Sequence, residues 1–234
     1  HNPELTSMNI AVYSIIFLSD TLFFISMSIV LTSTIPSTTI CLTGLSTKSI
    51  IASVGVLLFT LLIGVTEIKT GFIPLNFSER SKTVQRHGEG DFTLDMYGWR
   101  KIRPEFEEIR SESIENGVMK ESDDMIALKW YPLANLDYYV AHPLGIDMYG
   151  FRDPIEIHKY AWINKERGDL KLGNDYWFLT ESFDYYEPNK YLKPYFKRII
   201  PLDTINIERC GKTAKYVFVY KLEDLKKMPQ TWFE

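Results

Sequence analysis

The sequence predicts a membrane helical hairpin followed by an α/β domain, a layered sheet with flanking helices. Between Met8 and Thr66 the only charged side chains are Asp20 and Lys48, whereas charged residues recur every few positions from Glu67 onward. This break in composition indicates a change of solvent from lipid to water. After it, short apolar runs alternate with helical patterns, which is typical of a layered α/β sheet.

The same observations divide the chain into three parts. We expect two transmembrane helices within residues 1–67, at about 9–35 and 49–66, then a juxtamembrane connector at 68–90 and a soluble α/β domain at 91–234. The second span has no charge and approaches the roughly 20 residues that cross a bilayer core. The first is long enough to cross even when tilted. Pro36 and Gly44 mark the polar connection between them.

Asp20 is the unusual residue of the first span. A carboxylate within a bilayer is costly unless it faces a helix bundle or a water-filled cavity, so Asp20 implies further helices. Together with a chain that opens on His1, this favours a fragment of a larger membrane protein. Two roles stay open for Asp20: a lining residue of an ion or substrate path, or a protonated or hydrogen-bonded packing residue.

Membrane orientation follows from one residue. Lys48 ends the connection between the spans, and no Lys or Arg precedes residue 9. The positive-inside rule therefore places the connection in the cytoplasm and the α/β domain on the opposite, exoplasmic side.

The elements of the α/β domain follow from periodicity and turn residues. Ile102, Phe106 and Ile109 share one face of an amphipathic helix, and Pro132 suits the first turn of another. We expect helices at 102–116, from 132 onward and at about 189–198, and strands at 125–131, 146–149, 176–180, 204–208 and 215–221.

Composition and motifs exclude several function classes. The net charge of −4 is spread over interspersed acids and bases, without the basic footprint of a nucleic-acid-binding protein. The chain lacks GxGxxG, Walker A, HExxH, CxxC and GxSxG motifs, and its two cysteines, Cys41 and Cys210, are too few for a disulfide framework or a metal cluster. We expect no catalytic residue, metal ligand or cofactor site in this part of the protein.

Aromatic density is the distinctive feature of the domain. His158, Lys159, Tyr160 and Trp162 combine basic and aromatic groups within seven residues and form a candidate surface for a saccharide or a phosphate. The alternative is that these rings serve the core or face a bilayer interface, where amphipathic aromatics are also favoured.

Several segments resemble a known family. The run KWYPLANLDYYVAHPLG (129–145), IHKYAWIN (157–164), GNDYWFLTES (173–182) and the DMYGWR corner at 95–100 are similar to the C-terminal soluble domain of bacterial family 39 glycosyltransferases. These multi-span enzymes are related to protein mannosyltransferases and to the aminoarabinose transferase of lipid A. The resemblance covers most of the chain after Glu67.

The resemblance implies a GT-C architecture in the bacterial inner membrane. Such an enzyme transfers a sugar from a polyprenyl-phosphate donor to an acceptor on the exoplasmic, periplasmic side. Its catalytic aspartate lies in an early exoplasmic loop that nothing in this chain matches, and Asp20 lies within a span, so no catalytic residue is carried over. The implied partners are membrane lipids, the missing upstream helices and the lipid-linked sugar.

Two other functions compete with this interpretation. One is a membrane-anchored α/β interaction module without catalytic activity, in which the aromatics are core residues. The other, supported by Asp20 alone, is the terminal domain of a transporter.

Overall fold

The computed structural model describes residues 47–73 and 83–229. The chain divides into two compact units, the first ending at Val65 and the second beginning at Thr66. Helix α1 (Thr47–Thr70) is long and apolar enough to cross a membrane, and it is the one such helix within the described residues. Its side chains are exposed up to Thr66. The first predicted span, 9–35, lies outside the described residues.

The second unit is a mixed sheet of five strands with flanking helices. Its longer helices are α2 (Trp99–Glu115), α3 (Trp130–Leu136), α4 (Pro154–Ile157), α5 (Tyr160–Glu166) and α6 (Pro188–Leu192). Its strands are β1 (Asp124–Ala127), β2 (Met148–Gly150), β3 (Tyr176–Glu181), β4 (Phe196–Arg209) and β5 (Lys212–Leu225). A π-helical turn (Asp137–Ala141) and a 3₁₀ turn (His142–Leu144) extend α3, and two further 3₁₀ turns lie at Val84–Arg86 and Phe92–Met96.

The strands lie in the order β2-β1-β3-β5-β4. Strands β1, β2 and β3 are parallel, so they end on one side of the sheet, at Ala127, Gly150 and Glu181. We call this side the carboxyl edge. Because β5 is antiparallel to β3 and to β4, the turn between β4 and β5 also lies at the carboxyl edge. In this turn Cys210 (φ 49°) and Gly211 (φ 75°) have the positive φ values that a two-residue type I′ hairpin requires.

Both faces of the sheet are covered by apolar side chains. Strand β3 alternates strictly: Trp177 and Leu179 pack toward α2 and α3, while Tyr176 and Phe178 pack toward α6 and the start of β4. Phe106 of α2 meets Trp177 edge to face, with ring centroids 5.1 Å apart. Burial on both faces makes every β3 residue inaccessible, and this explains the apolar run of its first four residues.

The element predictions from sequence were confirmed in type and corrected in extent. The strand expected at 125–131 ends at Ala127, because Pro132 lacks an N–H and fits the first turn of a helix that already begins at Trp130. The helix expected at 189–198 ends at Leu192, because Pro194 disfavours helical backbone at the residue before it, and β4 begins at Phe196.

The sequence prediction also missed two helices. Residues 157–163 were interpreted as a mixed surface stretch, whereas the chain forms α4 and α5 on either side of His158. His158 has φ 52°, a left-handed conformation that breaks the helical path between them. Asp153 starts α4 by accepting a hydrogen bond from the amide of Ile155 at 2.8 Å.

Gly98, the residue before α2, lies close to β4 and allows a test of how tightly the two are packed. It has φ 88°, and a Cβ atom added there would lie 2.6 Å from Cγ2 of Ile207. Gly117 also has a positive φ, 68°, but open space around it. We expect Gly117→Ala to lower the free energy of unfolding by about 1 kcal/mol through backbone strain. Gly98→Ala should cost about 1–3 kcal/mol more through overpacking.

The measurement is chemical unfolding of the two variants and the parent chain in the same detergent. Equal losses for both variants would show that the contact between Gly98 and β4 is not tight.

Candidate functional site

A connecting segment lies across the carboxyl edge before α2. This strap, residues 83–98, is held at several points by hydrogen bonds to the ends of β3, β4 and β5. The hydroxyl of Ser182 donates to the carbonyl of His87 at 2.6 Å, and the His87 ring nitrogen Nε2 lies 3.0 Å from the carbonyl oxygen of Thr213. The strap therefore covers the ends of β3, β4 and β5 at the carboxyl edge.

Arg209, the last residue of β4, fastens the middle of the strap. Its Nη2 lies 2.8 Å from the Asp91 carboxylate and its Nη1 donates to the Thr93 hydroxyl at 2.7 Å. Both members of the ion pair are nearly buried. A charge-assisted pair of this kind fixes position as well as contributing energy.

The carboxyl edge contains a topological switch point between β1 and β3. The helix that follows β1, α3, covers one face of the sheet, whereas α6, which follows β3, covers the other. In open α/β sheets such a point leaves a crevice outside the carboxyl ends of the strands, where ligands commonly bind. In this unit a crevice is found there, between Ala127 to Pro132 on one side and Phe178 to Tyr186 on the other.

A buried ion pair lies under this crevice. Nζ of Lys215 on β5 is 2.8 Å from Oε1 of Glu181 at the end of β3, and both side chains are almost wholly removed from solvent. Lys215 also donates to the carbonyl of Leu94 in the strap at 3.2 Å and lies 4.5 Å from the centroid of the Trp99 ring. Lys215 thus joins the sheet, the strap and the start of α2.

Burial shifts the pKa of both members of this pair. Burial raises the pKa of Glu181 to about 7, although the neighbouring Lys215 charge opposes the rise. Burial likewise lowers the pKa of Lys215, and the Glu181 carboxylate opposes that change. Asp95 of the strap has its pKa raised, first by burial and then by the nearby carboxylate of Asp184.

A more accessible set of polar groups forms the mouth of the crevice. Nζ of Lys129 lies 3.5 Å from the Asp184 carboxylate and 5.2 Å from the centroid of the Tyr186 ring. The hydroxyl of Tyr131 donates to the carbonyl of Asp95 and so ties α3 to the strap. A cation, a carboxylate and aromatic faces are the groups that bind phosphate and sugar hydroxyls.

The crevice is small. Its enclosed volume is about 20 Å³, enough for roughly one water molecule. A sugar ring or a phosphate would therefore lie over the mouth, against Lys129 and Tyr186, and not within the crevice.

His158 and Trp130 bring part of the predicted surface to the same edge. The His158 ring stacks at a tilt on the exposed ring of Trp130, with centroids 5.3 Å apart, and Trp130 directly follows Lys129. Lys159 is exposed, and the side chain of Trp162 is half exposed on α5. The role proposed for these residues in acceptor binding stays a prediction.

Tyr160 makes a different contact. Its hydroxyl donates to Asp137 at 2.7 Å, and the same carboxylate lies 3.0 Å from Nη2 of Arg167. Arg167 also donates to the carbonyl of Met148 at 2.6 Å. Tyr160 and Arg167 thus connect α5 and the residue after it to the π-helical turn, and Arg167 adds a contact to β2. Asp20, the remaining candidate from the sequence, lies outside the described residues.

Sequence reasoning missed the charged residues of the crevice. Glu181 ends the apolar run YWFLT, and Lys215 interrupts the apolar strand that follows Thr213. A charge at the end of a doubly buried strand was the available signal, because such a charge needs a partner. Nothing in the sequence indicates that Lys215, more than thirty residues away, is that partner.

Comparisons with known proteins add no further assignment: no family model, no curated protein and no solved structure matches this chain. Among the residues that the structure describes, no group of three or more His, Cys, Asp or Glu side chains is placed to hold a metal ion.

The buried pair predicts a pH-dependent stability. We expect Glu181→Leu, which leaves Lys215 without a countercharge, to lower the free energy of unfolding by about 3–5 kcal/mol, and Glu181→Leu with Lys215→Met to recover most of that loss. In Lys215→Met alone, the charge that restrains the pKa of Glu181 is gone, so this pKa rises further above its ordinary value of 4.5. A raised folded-state pKa gives stability below 4.5 that is lost as the pH rises through the folded value, so this variant should lose more stability at pH 8 than at pH 5.

Thermal unfolding of the chain in detergent at both pH values measures these effects. Arg198→Met is the control, because Arg198 and Glu223 form an exposed pair that should matter little. A double variant no more stable than Glu181→Leu would argue against coupling between the two side chains.

Proposed function

We propose that this chain is the C-terminal portion of an integral membrane glycosyltransferase of GT-C architecture in the bacterial inner membrane. The enzyme would transfer a sugar from a polyprenyl-phosphate donor to an acceptor on the exoplasmic side. The catalytic aspartate would belong to the upstream membrane part. This chain would contribute a surface next to the membrane that holds the acceptor or the donor phosphate.

The proposal is supported by the positions, in the fold, of the four segments that resemble the family. They are separate in sequence, at 95–100, 129–145, 157–164 and 173–182, yet they meet around the carboxyl edge. Tyr131 bonds to the carbonyl of Asp95, and Trp130 stacks on His158. Lys129 pairs with Asp184, just beyond the fourth segment. A shared local function would explain why all four segments contribute residues to this edge.

The chemistry of this edge supports a sugar-phosphate substrate. The exposed ring of Trp162 offers a flat apolar face for a sugar ring. Lys129 and Lys159 offer cations for a phosphate. Helix α1, which precedes the domain in the chain, has the length and composition to tether it to a membrane that holds a lipid-borne donor.

A second function is favoured by a different feature. A groove of about 690 Å³ lies between α2 and the open edge of β4, lined by carboxylates that include Glu105, Glu108, Glu112 and Asp203. An acidic groove beside the outer edge of β4, which has no strand partner among the described residues, suits a basic extended segment of another protein. This feature supports the alternative of a membrane-anchored interaction module.

The two functions differ in their dependence on the aromatic surface. We expect His158→Ala, Lys159→Ala and Trp162→Ala together to lower kcat/KM for sugar transfer by the full-length protein in membranes by about tenfold or more, since the loss of about 1.4 kcal/mol of binding already amounts to tenfold. Transfer of labelled sugar from the polyprenyl-phosphate donor is the measured quantity.

The control combines Leu172→Ala and Lys193→Ala, which remove one exposed apolar and one exposed basic side chain far from the carboxyl edge. This control should retain full activity. Unchanged activity in the triple variant would overturn the role of the surface, and absence of any sugar transfer by the parent protein would overturn the proposed function.

A further inference from the structure

Six of the ten large apolar or aromatic side chains that are exposed in the described part of the second unit belong to one region. Isolated exposed apolar residues are normal on protein surfaces, whereas a contiguous set indicates an interaction surface. Met96 is 70% exposed, Phe92 61% and Trp130 44%. Phe72, Ile73 and Val84 are also exposed. These six residues lie in the segment that opens the second unit, in the strap and at the start of α3.

A series of contacts shows that these residues are neighbours. A Cβ atom added to Gly71, the residue before Phe72, would lie 2.6 Å from Nε of Arg209. Arg209 binds Asp91 and Thr93, which flank Phe92.

The series continues across the edge to α3. Asp95, the residue before Met96, accepts a hydrogen bond from Tyr131, and the Tyr131 ring lies 5.6 Å from that of Trp130. The exposed apolar residues thus form a band from the beginning of the second unit to the start of α3.

The residues that open this unit indicate what covers the band. Glu67 is buried, and its carboxylate accepts a hydrogen bond from the amide of Ile73 at 2.9 Å, which orders the segment from Thr66 to Ile73. Gly71 of this segment lies against Arg209 at the carboxyl edge. This segment continues directly from the apolar part of α1. A bilayer crossed by α1 would be held within a few residues of the band.

We infer that the carboxyl edge of the second unit rests on a lipid bilayer, with Phe92, Met96 and Trp130 inserted at the interface between headgroups and acyl chains. Tryptophan favours this interface because its ring is amphipathic. The inference rests on the part of the proposed function that places α1 in a membrane. It adds that the crevice with Lys129 and Glu181 opens next to the headgroups, where a lipid-borne phosphate would lie.

Site-directed spin labelling of the chain in phosphatidylcholine vesicles tests the inference. Labels are attached to Met96→Cys and, separately, Phe92→Cys in a background with Cys41→Ser and Cys210→Ser. Both side chains are exposed, so the substitutions should not disturb the core. Leu172→Cys, 60% exposed in the connection that leads into the opposite end of β3, is the matched control.

We expect both edge labels to collide readily with oxygen and rarely with a water-soluble nickel complex, at a depth of about 5–10 Å. The control label should collide readily with the nickel complex. Edge labels as open to nickel as the control would overturn the inference. Edge labels shielded from both reagents would also overturn it, since they would show that protein covers the band.

The outcome is separable from that of the sugar-transfer assay. Lipid contact by the edge labels in a protein that transfers no sugar would refute the proposed enzyme and leave the docking surface standing. Sugar transfer by a protein whose edge labels are exposed to water would refute the docking surface and leave the proposed enzyme standing.

Discussion

The arrangement of the carboxyl edge depends on one buried ion pair. Lys215 and Glu181 lie on neighbouring strands, and neither side chain reaches solvent. Removing two charges from water is costly, so the pair is tolerable only where further contacts satisfy it. The carbonyl of Leu94 and the ring of Trp99 supply those contacts to Lys215. The strap and the start of α2 are therefore held in place by the same charge that neutralises Glu181.

This constraint links the polar crevice to the apolar band outside it. With the strap fixed, the carbonyl of Asp95 meets Tyr131, and Met96 and Phe92 are left outward. Arg209 fixes the middle of the strap and lies against Gly71, near the beginning of the second unit. One edge of the sheet thus carries ionic groups inside and apolar groups outside. A surface between water and lipid requires both, and a phosphate carried on a lipid would meet both.

The sequence predicted this fold better than the site. The composition break at Glu67 and the apolar run YWFLT depend on solvent and burial, which act locally, so the long apolar helix and the buried strand were predictable. Helices α4 and α5 were missed because each is short and His158 breaks the pattern between them. The crevice and the ion pair beneath it were missed because they combine residues of β1, β3 and β5. Local sequence patterns do not determine the order in which these strands pair. Tyr160 was predicted to be part of a surface for a saccharide or a phosphate, and its hydroxyl donates a hydrogen bond to Asp137.

The most direct test of the central role of Lys215 is native-state hydrogen exchange of Lys215→Met against the parent chain, at a pH where both remain folded. If the ion pair holds the strap, amides of residues 91–98 should lose protection while those of the hairpin formed by β4 and β5 keep it. Unchanged protection in the strap would contradict the account, because the strap would then be held without the buried charge. A uniform loss over the whole second unit would contradict it too, since Lys215 would then stabilise the fold in general and not the carboxyl edge.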